Sequence, residues 1–272
     1  MKYGRALLTS LLATILGAGV IGGVAVALAH LQPHQNAYSG TVTSVPEMVN
    51  GTQVEVKHVA LSLSTYPDSL FTGQPHGANG GAHPDWVSYN HDNLVVPANS
   101  VVTITVDQYD SGGSLNNSFF GQVRGTLSGK ATFTTWGYPG CDLTTFSCSS
   151  TAKQSLADNG VKTTLTSDQW PYNSVGHTFT LRSTGNAPGL LVSVPLPAVF
   201  GDKDGAFYGP QTTPNSIGGT YPIQHTTVTF SFKVKGPGVY QWNCEYPCGV
   251  KTGNFGEAMS TFGYMSGTLT VK

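Results

Sequence analysis

Donors suited to a soft metal cluster in the last forty residues. The order is Phe230-Ser-Phe-Lys-Val-Lys-Gly-Pro-Gly-Val-Tyr-Gln-Trp-Asn-Cys244, then Glu-Tyr-Pro-Cys248-Gly249, a loop, and Met265-Ser-Gly-Thr-Leu-Thr-Val271. A strand delivers the Cys244 thiol to a sheet edge, Cys248 follows in the loop, and Met265 opens the closing strand. Thiolate and thioether are soft ligands that hold Cu(I), and imidazole suits Cu(II). A rigid β frame limits reorganisation between the two states. Cysteines and a methionine at these positions have the chemistry of a one-electron copper centre. A methionine before a last strand is usually core, so Met265 means little without the two thiols. Met259, inside the loop, is an alternative thioether.

The elements that must hold these residues read as short strands. Val54 to Leu63 alternates apolar and polar. Leu94 to Val106 reads as two strands joined at Pro97-Ala98-Asn99. Thr178 to Leu181 and Gly189 to Val194 are further candidates. In Thr227 to Val234, the residues Val228, Phe230, Phe232 and Val234 share one face. Gly236-Pro237-Gly238 turns the chain, Val239 to Trp242 returns, and Thr268 to Val271 ends it. Short strands between turn residues predict an all-β sandwich or barrel. The stretches 72–92 and 107–170 are long and rich in Gly, Ser, Thr and Asn, beyond ordinary loop length. They are expected to be insertions carrying extra hairpins or ordered excursions.

Composition narrows the setting. Only 10% of the 272 residues are charged, and the formal net charge is −1. No basic stripe is present, so nothing suggests a nucleic-acid partner. Lys2 and Arg5 precede an uncharged stretch from Ala6 to Leu31. That length exceeds the ~20 residues a membrane-spanning helix needs. Positive charge before it leaves the remainder outside. Two readings stand for residues 1–31: a single-pass membrane anchor, or a signal segment cleaved near Ala27-Leu28-Ala29. Both export the chain, and the first places it at the cell membrane with its C-terminal domain extracytoplasmic. Residues 32–52 read as a polar linker, and 53–272 as one domain with the two insertions. Outside the cytoplasm thiols tend to oxidise, so Cys141 and Cys148 read as a small disulfide loop.

The C-terminal motif resembles the cupredoxin family, and within it the CuA-type copper-binding domain of cytochrome c oxidase subunit II. That domain uses a Cys-x3-Cys-Gly loop, then His and Met, before its last strand, and takes another His from an upstream strand. Cys244, Cys248 and Gly249 match the loop, and Met265 matches the Met. His177, in Val-Gly-His-Thr-Phe-Thr-Leu, matches the upstream His. The carbonyl ligand falls on Tyr246, two residues after the first Cys. The resemblance spans roughly 90–110 and 175–272 and implies a Greek-key cupredoxin-like sandwich. It implies Cys244 and Cys248 as thiolate ligands, His177 as an imidazole ligand and Met265 as a weak thioether ligand.

The chain departs from that pattern in one respect. Its loop from Gly249 to Met265 is longer and has no histidine, and Phe262 stands where the second imidazole belongs. Three readings follow. A distant histidine fills the gap, with His225, His76, His83 and His91 as candidates. An oxygen ligand such as Glu257 or Asn254 replaces it. Or the metal is lost and Cys244 and Cys248 close a disulfide.

No Gly-x-Ser-x-Gly elbow, phosphate-cradling loop or His-Glu-x-x-His motif occurs. The His-x-His and His-Cys-His motifs of a multicopper oxidase are also missing. The chain is therefore expected to carry no catalytic site of its own. It is expected to bind copper and pass single electrons, with a membrane respiratory complex or a soluble electron donor as partner. The alternatives are a copper-free, disulfide-stapled structural or docking subunit, and a copper delivery protein.

Overall fold

The computed structural model describes residues 37–66, 86–110, 119–136, 141–142, 147–148, 163–166, 175–198, 208–210, 220–222, 225–248 and 257–272. All of them fall in the compact unit Gln35–Lys272. The expected anchor or signal segment, 1–31, lies outside the described residues. Among the described residues no helix is long and apolar enough to cross a membrane.

Strands follow one another as β1 (Thr41–Val49), β2 (Thr52–Tyr66), β3 (Ser88–Tyr89), β4 (Asn93–Val96), β5 (Ser100–Gln108), β6 (Thr132–Trp136), β7 (Cys141–Asp142) and β8 (Ser147–Cys148). They continue as β9 (Thr163–Thr166), β10 (Val175–Ser183), β11 (Leu191–Pro197), β12 (Tyr208–Pro210), β13 (Thr220–Pro222), β14 (His225–Lys233), β15 (Gly238–Asn243) and β16 (Ser266–Val271). One large sheet has the order β1-β2-β5-β14-β6-β9, with β3 also on β2. A smaller one has the order β11-β10-β15-β16-β4. The pairs β2·β5 and β4·β16 are parallel.

Alternation explains why these two layers form. Every second residue of β14 is buried, and most of β5 follows the same period. Val102, Ile104, Val106, Val228, Phe230 and Phe232 therefore present one apolar face. Phe179 and Leu181 of β10, Trp242 of β15 and Leu269 of β16 belong to the same buried cluster from the other sheet. Phe179 meets Phe230 across the layers with ring centroids 5.6 Å apart. The all-β sandwich expected from the sequence is thus present. The predicted break at Pro97-Ala98-Asn99 carries the chain from β4 in one sheet to β5 in the other. Asn99 turns there with φ of 56°.

One stretch differs from its sequence reading. The polar segment 32–52, read as a linker, carries β1, paired along its whole length with β2. The cause is Asn50-Gly51, whose φ values of 51° and 78° make the two-residue turn that suits a hairpin. Side chains of β1 are exposed on both faces, so no apolar alternation marked the strand. Within 107–170, β6 pairs with β14 and β9 with β6, so part of this insertion widens the large sheet.

Candidate metal centre

β10 and the segment following β15 build the site. β15 pairs with β16 up to Asn243↔Ser266, and Cys244 N–H extends the ladder by donating to Met265 O at 2.8 Å. This fixes Cys244 at the end of a strand bonded on both sides, since β15 also pairs with β10. Pairing of β10 with β11 slips between Val175 and His177, an irregularity centred on Gly176. Such a bulge re-aims the side chain beside it. From Val175 to Leu181 every residue is buried. The end of β10 is covered by the thiol segment: Thr178 N–H points to Cys244 Sγ at 3.4 Å, and Glu245 N–H donates to Thr178 Oγ1 at 2.8 Å.

Three donor atoms converge there. His177 Nδ1 lies 2.8 Å from Cys248 Sγ and 3.8 Å from Cys244 Sγ, and the two sulfurs are 2.7 Å apart. The Tyr246 carbonyl oxygen sits 3.1 Å from Cys244 Sγ and 3.0 Å from Cys248 Sγ. His177, Cys244 and Cys248 are each at most 2% exposed. Among the described residues this is the one group of three or more His, Cys, Asp or Glu placed to hold a metal ion, its donor atoms all within 4.8 Å of one another.

The other candidates are placed as follows. Met265 is buried and adjoins Cys244 through its carbonyl, while its N–H donates to Ala258 O at 2.9 Å. That bond stitches the 3-10 turn Glu257–Ser260, with Met259 buried in it, to the strand that closes the site. Glu257 and His225 do not join the cluster. His225 begins β14, its ring 4.8 Å from that of Tyr109. His91 stacks on Tyr38 at 4.0 Å. Asn254, His76 and His83 lie outside the described residues. Cys141 and Cys148 stand opposite each other in the β7-β8 ribbon.

Sequence reasoning missed Asp110. Its Oδ2 lies 2.6 Å from His177 Nε2, on the side of the ring away from the thiols. No spacing signal could have shown it, because it stands 67 residues upstream and belongs to the other sheet's end.

Electrostatics divide the two thiols. Burial alone would pull the His177 imidazolium down. The Asp110 carboxylate and the Cys244 sulfur more than offset this and lift its pKa to about 10. Burial also opposes ionisation of Cys244, but hydrogen bonds from Cys248 and His177, the imidazolium charge and Thr178 N–H bring it down to about 5. Burial and the Cys244 charge push Cys248 up. His177 Nδ1 is nearer Cys248, yet Cys244 carries the charge, because the Cys248 thiol donates to it as well. Tyr89 is buried with its hydroxyl unpartnered, and its ionisation is held up first by burial and then by the negative charge of the thiol pair, which rests on Cys244.

A pH profile follows for the metal-free, reduced protein. Folded His177 keeps a proton that the unfolded chain sheds near 6.5, so its contribution is complete below 6.5 and lost as pH rises through about 10. Folded Cys244 lacks a proton that the unfolded thiol keeps up to 9.0, so its contribution is complete above 9 and lost as pH falls through about 5. The slopes cancel between pH 6.5 and 9, a range above that in which buried Asp92, raised to about 6, titrates. Urea unfolding should show flat stability there and a fall above 9. With Cys244 and Cys248 both replaced by Ser no thiolate remains to oppose His177, so stability should decline through the same range. A flat profile in both proteins contradicts the ion pair.

No protein-family model and no curated sequence matches the chain. Among solved structures, auracyanin B aligns at 16% identity over 86% of this chain and 99% of its own, with a TM-score of 0.22. Reduced rusticyanin aligns at 11% identity over 92% and 95%, with a TM-score of 0.26. A multicopper oxidase aligns at 11% identity over 87% and 94%, with a TM-score of 0.18. Superpositions this loose do not define a fold, which rests on the strand pairings above.

Proposed function

We propose that the chain is a cupredoxin-like copper-binding protein that transfers single electrons, with its centre at His177, Cys244 and Cys248. The observation that carries this reading is the convergence of two thiols and an imidazole nitrogen, all buried, at one end of a two-sheet frame. The donor chemistry fits copper. Two sulfurs suit Cu(I), one imidazole suits Cu(II), and the Tyr246 carbonyl faces both sulfurs. Bound copper would supply a one-electron couple. The chain's own part is to hold the donors still: the Cys244 backbone is locked into the β15–β16 ladder, and the His177 ring is held from its far side by Asp110. Met265 as a further, weak thioether donor rests on the resemblance of its strand to the subunit II domain. With one imidazole in the described donor cluster, the site departs from the two-histidine centres of that family.

The setting belongs to the same proposal. The apolar stretch Ala6 to Leu31 supports tethering at the outer face of a membrane, and the motif supports electron exchange with a respiratory oxidase or a soluble donor. A second reading is favoured by the 2.7 Å between the sulfurs: the thiols close a disulfide and the protein is a copper-free structural subunit. Titrating the thiols of the full-length chain before copper is added, then loading the reduced protein with Cu(I) and oxidising the bound metal, separates the two. Thiolate-to-copper bands in the visible, with a reversible one-electron wave, support the centre. A colourless protein with Cys244 and Cys248 oxidised supports the second reading and removes the first.

A further inference from the structure

We infer that Asp110 is the positioning residue of the centre, fixing the His177 ring so that Nδ1 faces the two sulfurs. The function of this arrangement rests on the copper reading; the geometry does not. An imidazole has two nitrogens on opposite edges, and only one can face the thiols. Asp110 Oδ2 accepts from Nε2–H at 2.6 Å, which leaves Nδ1 on the edge 2.8 Å from Cys248 Sγ. A carboxylate behind a histidine ligand fixes its tautomer and orientation and strengthens it as a donor. The device matters more here than in a site with two imidazoles, because the described donor set contains one.

Asp110 is itself held. It follows β5 of the large sheet, whereas His177 lies on β10 of the small one. Gln108, fully buried, donates from Nε2 to Asp110 O at 3.0 Å. Its Oε1 accepts from the Thr65 hydroxyl, on the strand paired in register with it. Tyr109 N–H donates to Thr65 O at 3.0 Å. The three residues preceding and including Asp110 are therefore tied to β2. A Cβ at Gly176 would stand 3.1 Å from Ala198 Cα and 3.4 Å from Gln108 Nε2, so the glycine beside His177 keeps clear of the backbone that follows β11 and sits in ordinary contact with the Gln108 amide. The arm Thr65–Gln108–Asp110 thus reaches from one sheet to orient a ligand on the other.

Asp110→Asn keeps the shape and removes the charge. On the full-length chain it should weaken Cu(I) binding by about 10- to 100-fold in a chelator competition. It should also raise the midpoint potential of the copper-loaded protein, since a negative charge near the centre is lost. In metal-free Asp110→Ala, which removes the acceptor that an asparagine oxygen would keep, nuclear Overhauser contacts between the His177 ring and Cys248 Hβ should weaken. Asp110→Glu should recover part of each effect. Asp107→Asn, whose carboxylate accepts from Thr227 Oγ1 at 2.6 Å, should leave all three unchanged. Wild-type affinity and potential in Asp110→Asn, with wild-type ring contacts in Asp110→Ala, overturn the inference. If the wild-type chain takes up no copper, the reading of the centre fails. The ring contacts alone then decide Asp110's role: their persistence in Asp110→Ala overturns it, and their loss supports it.

Discussion

Cys244→Ser should lower the affinity for Cu(I) by roughly two to three orders of magnitude. Structural zinc sites built from Cys and His gain about 10–16 kcal/mol on binding, and that scale is taken for this donor set. Shared among four donors, the loss of one is worth that much. Serine is a hard ligand and stays protonated at neutral pH, whereas the Cys244 thiol is held down to about 5 by its hydrogen bonds and by His177. The substitution should leave the fold standing. A hydroxyl at this position can still donate to the Tyr246 carbonyl, as the thiol geometry allows. Its burial should cost about 1–2 kcal/mol. Cys248→Ser should lower affinity comparably and perturb the metal-free protein less, because Cys248 carries no charge there. Cys141→Ser should not change affinity, since that residue belongs to the separate β7-β8 ribbon. Competition against a Cu(I) chelator under reducing conditions gives the comparison. Equal affinities in wild type and Cys244→Ser would place the metal elsewhere or nowhere.

Much of this frame is legible in the sequence, for a physical reason. Where a strand is buried on one face, its period-2 pattern survives, as with Val228, Phe230 and Phe232 of β14. Where it is exposed on both faces or buried on both, the pattern vanishes. β1 is the first case, and it was read as linker because its one hairpin signal, Asn50-Gly51, lies in a segment without apolar alternation. β10 is the second: Val175 to Leu181 is buried throughout, so nothing in its periodicity marks His177, which was found through the motif it resembles. Cys244 and Cys248 are close in sequence, and a strand-end thiol with a second thiol four residues later carries its own meaning. Asp110 was illegible, because its role exists only once β5 and β10 are packed. The missing second imidazole shows the reverse limit. His225 looked available from its place before a strand, but its ring lies against Tyr109, apart from the cluster.

Trp242→Ala should cost about 3–5 kcal/mol of stability, a large part of the ~5–15 kcal/mol that holds a domain of this kind together. The indole is fully buried. It stacks on Phe179 with centroids 5.4 Å apart, and Tyr89 meets it edge-on at 4.8 Å. Its N–H donates to Thr268 O at 3.3 Å, and its ring lies where a Cβ at Gly267 would have to sit. Removing it empties the core face of the small sheet where β15, which leads to Cys244, packs with Phe179 of β10 and Gly267 of β16. Trp242→Phe keeps an aromatic plane and loses the N–H, so urea unfolding should register about 1–2 kcal/mol. The pair of variants also separates two roles. Trp242 stands two residues before Cys244, where an indole could carry electrons as well as fill space. If packing is its whole contribution, copper-loaded Trp242→Phe exchanges electrons at the wild-type rate despite its lower stability. A rate loss of more than about tenfold, equivalent to ~1.4 kcal/mol of barrier, with the visible spectrum unchanged, would make the indole part of the electron path.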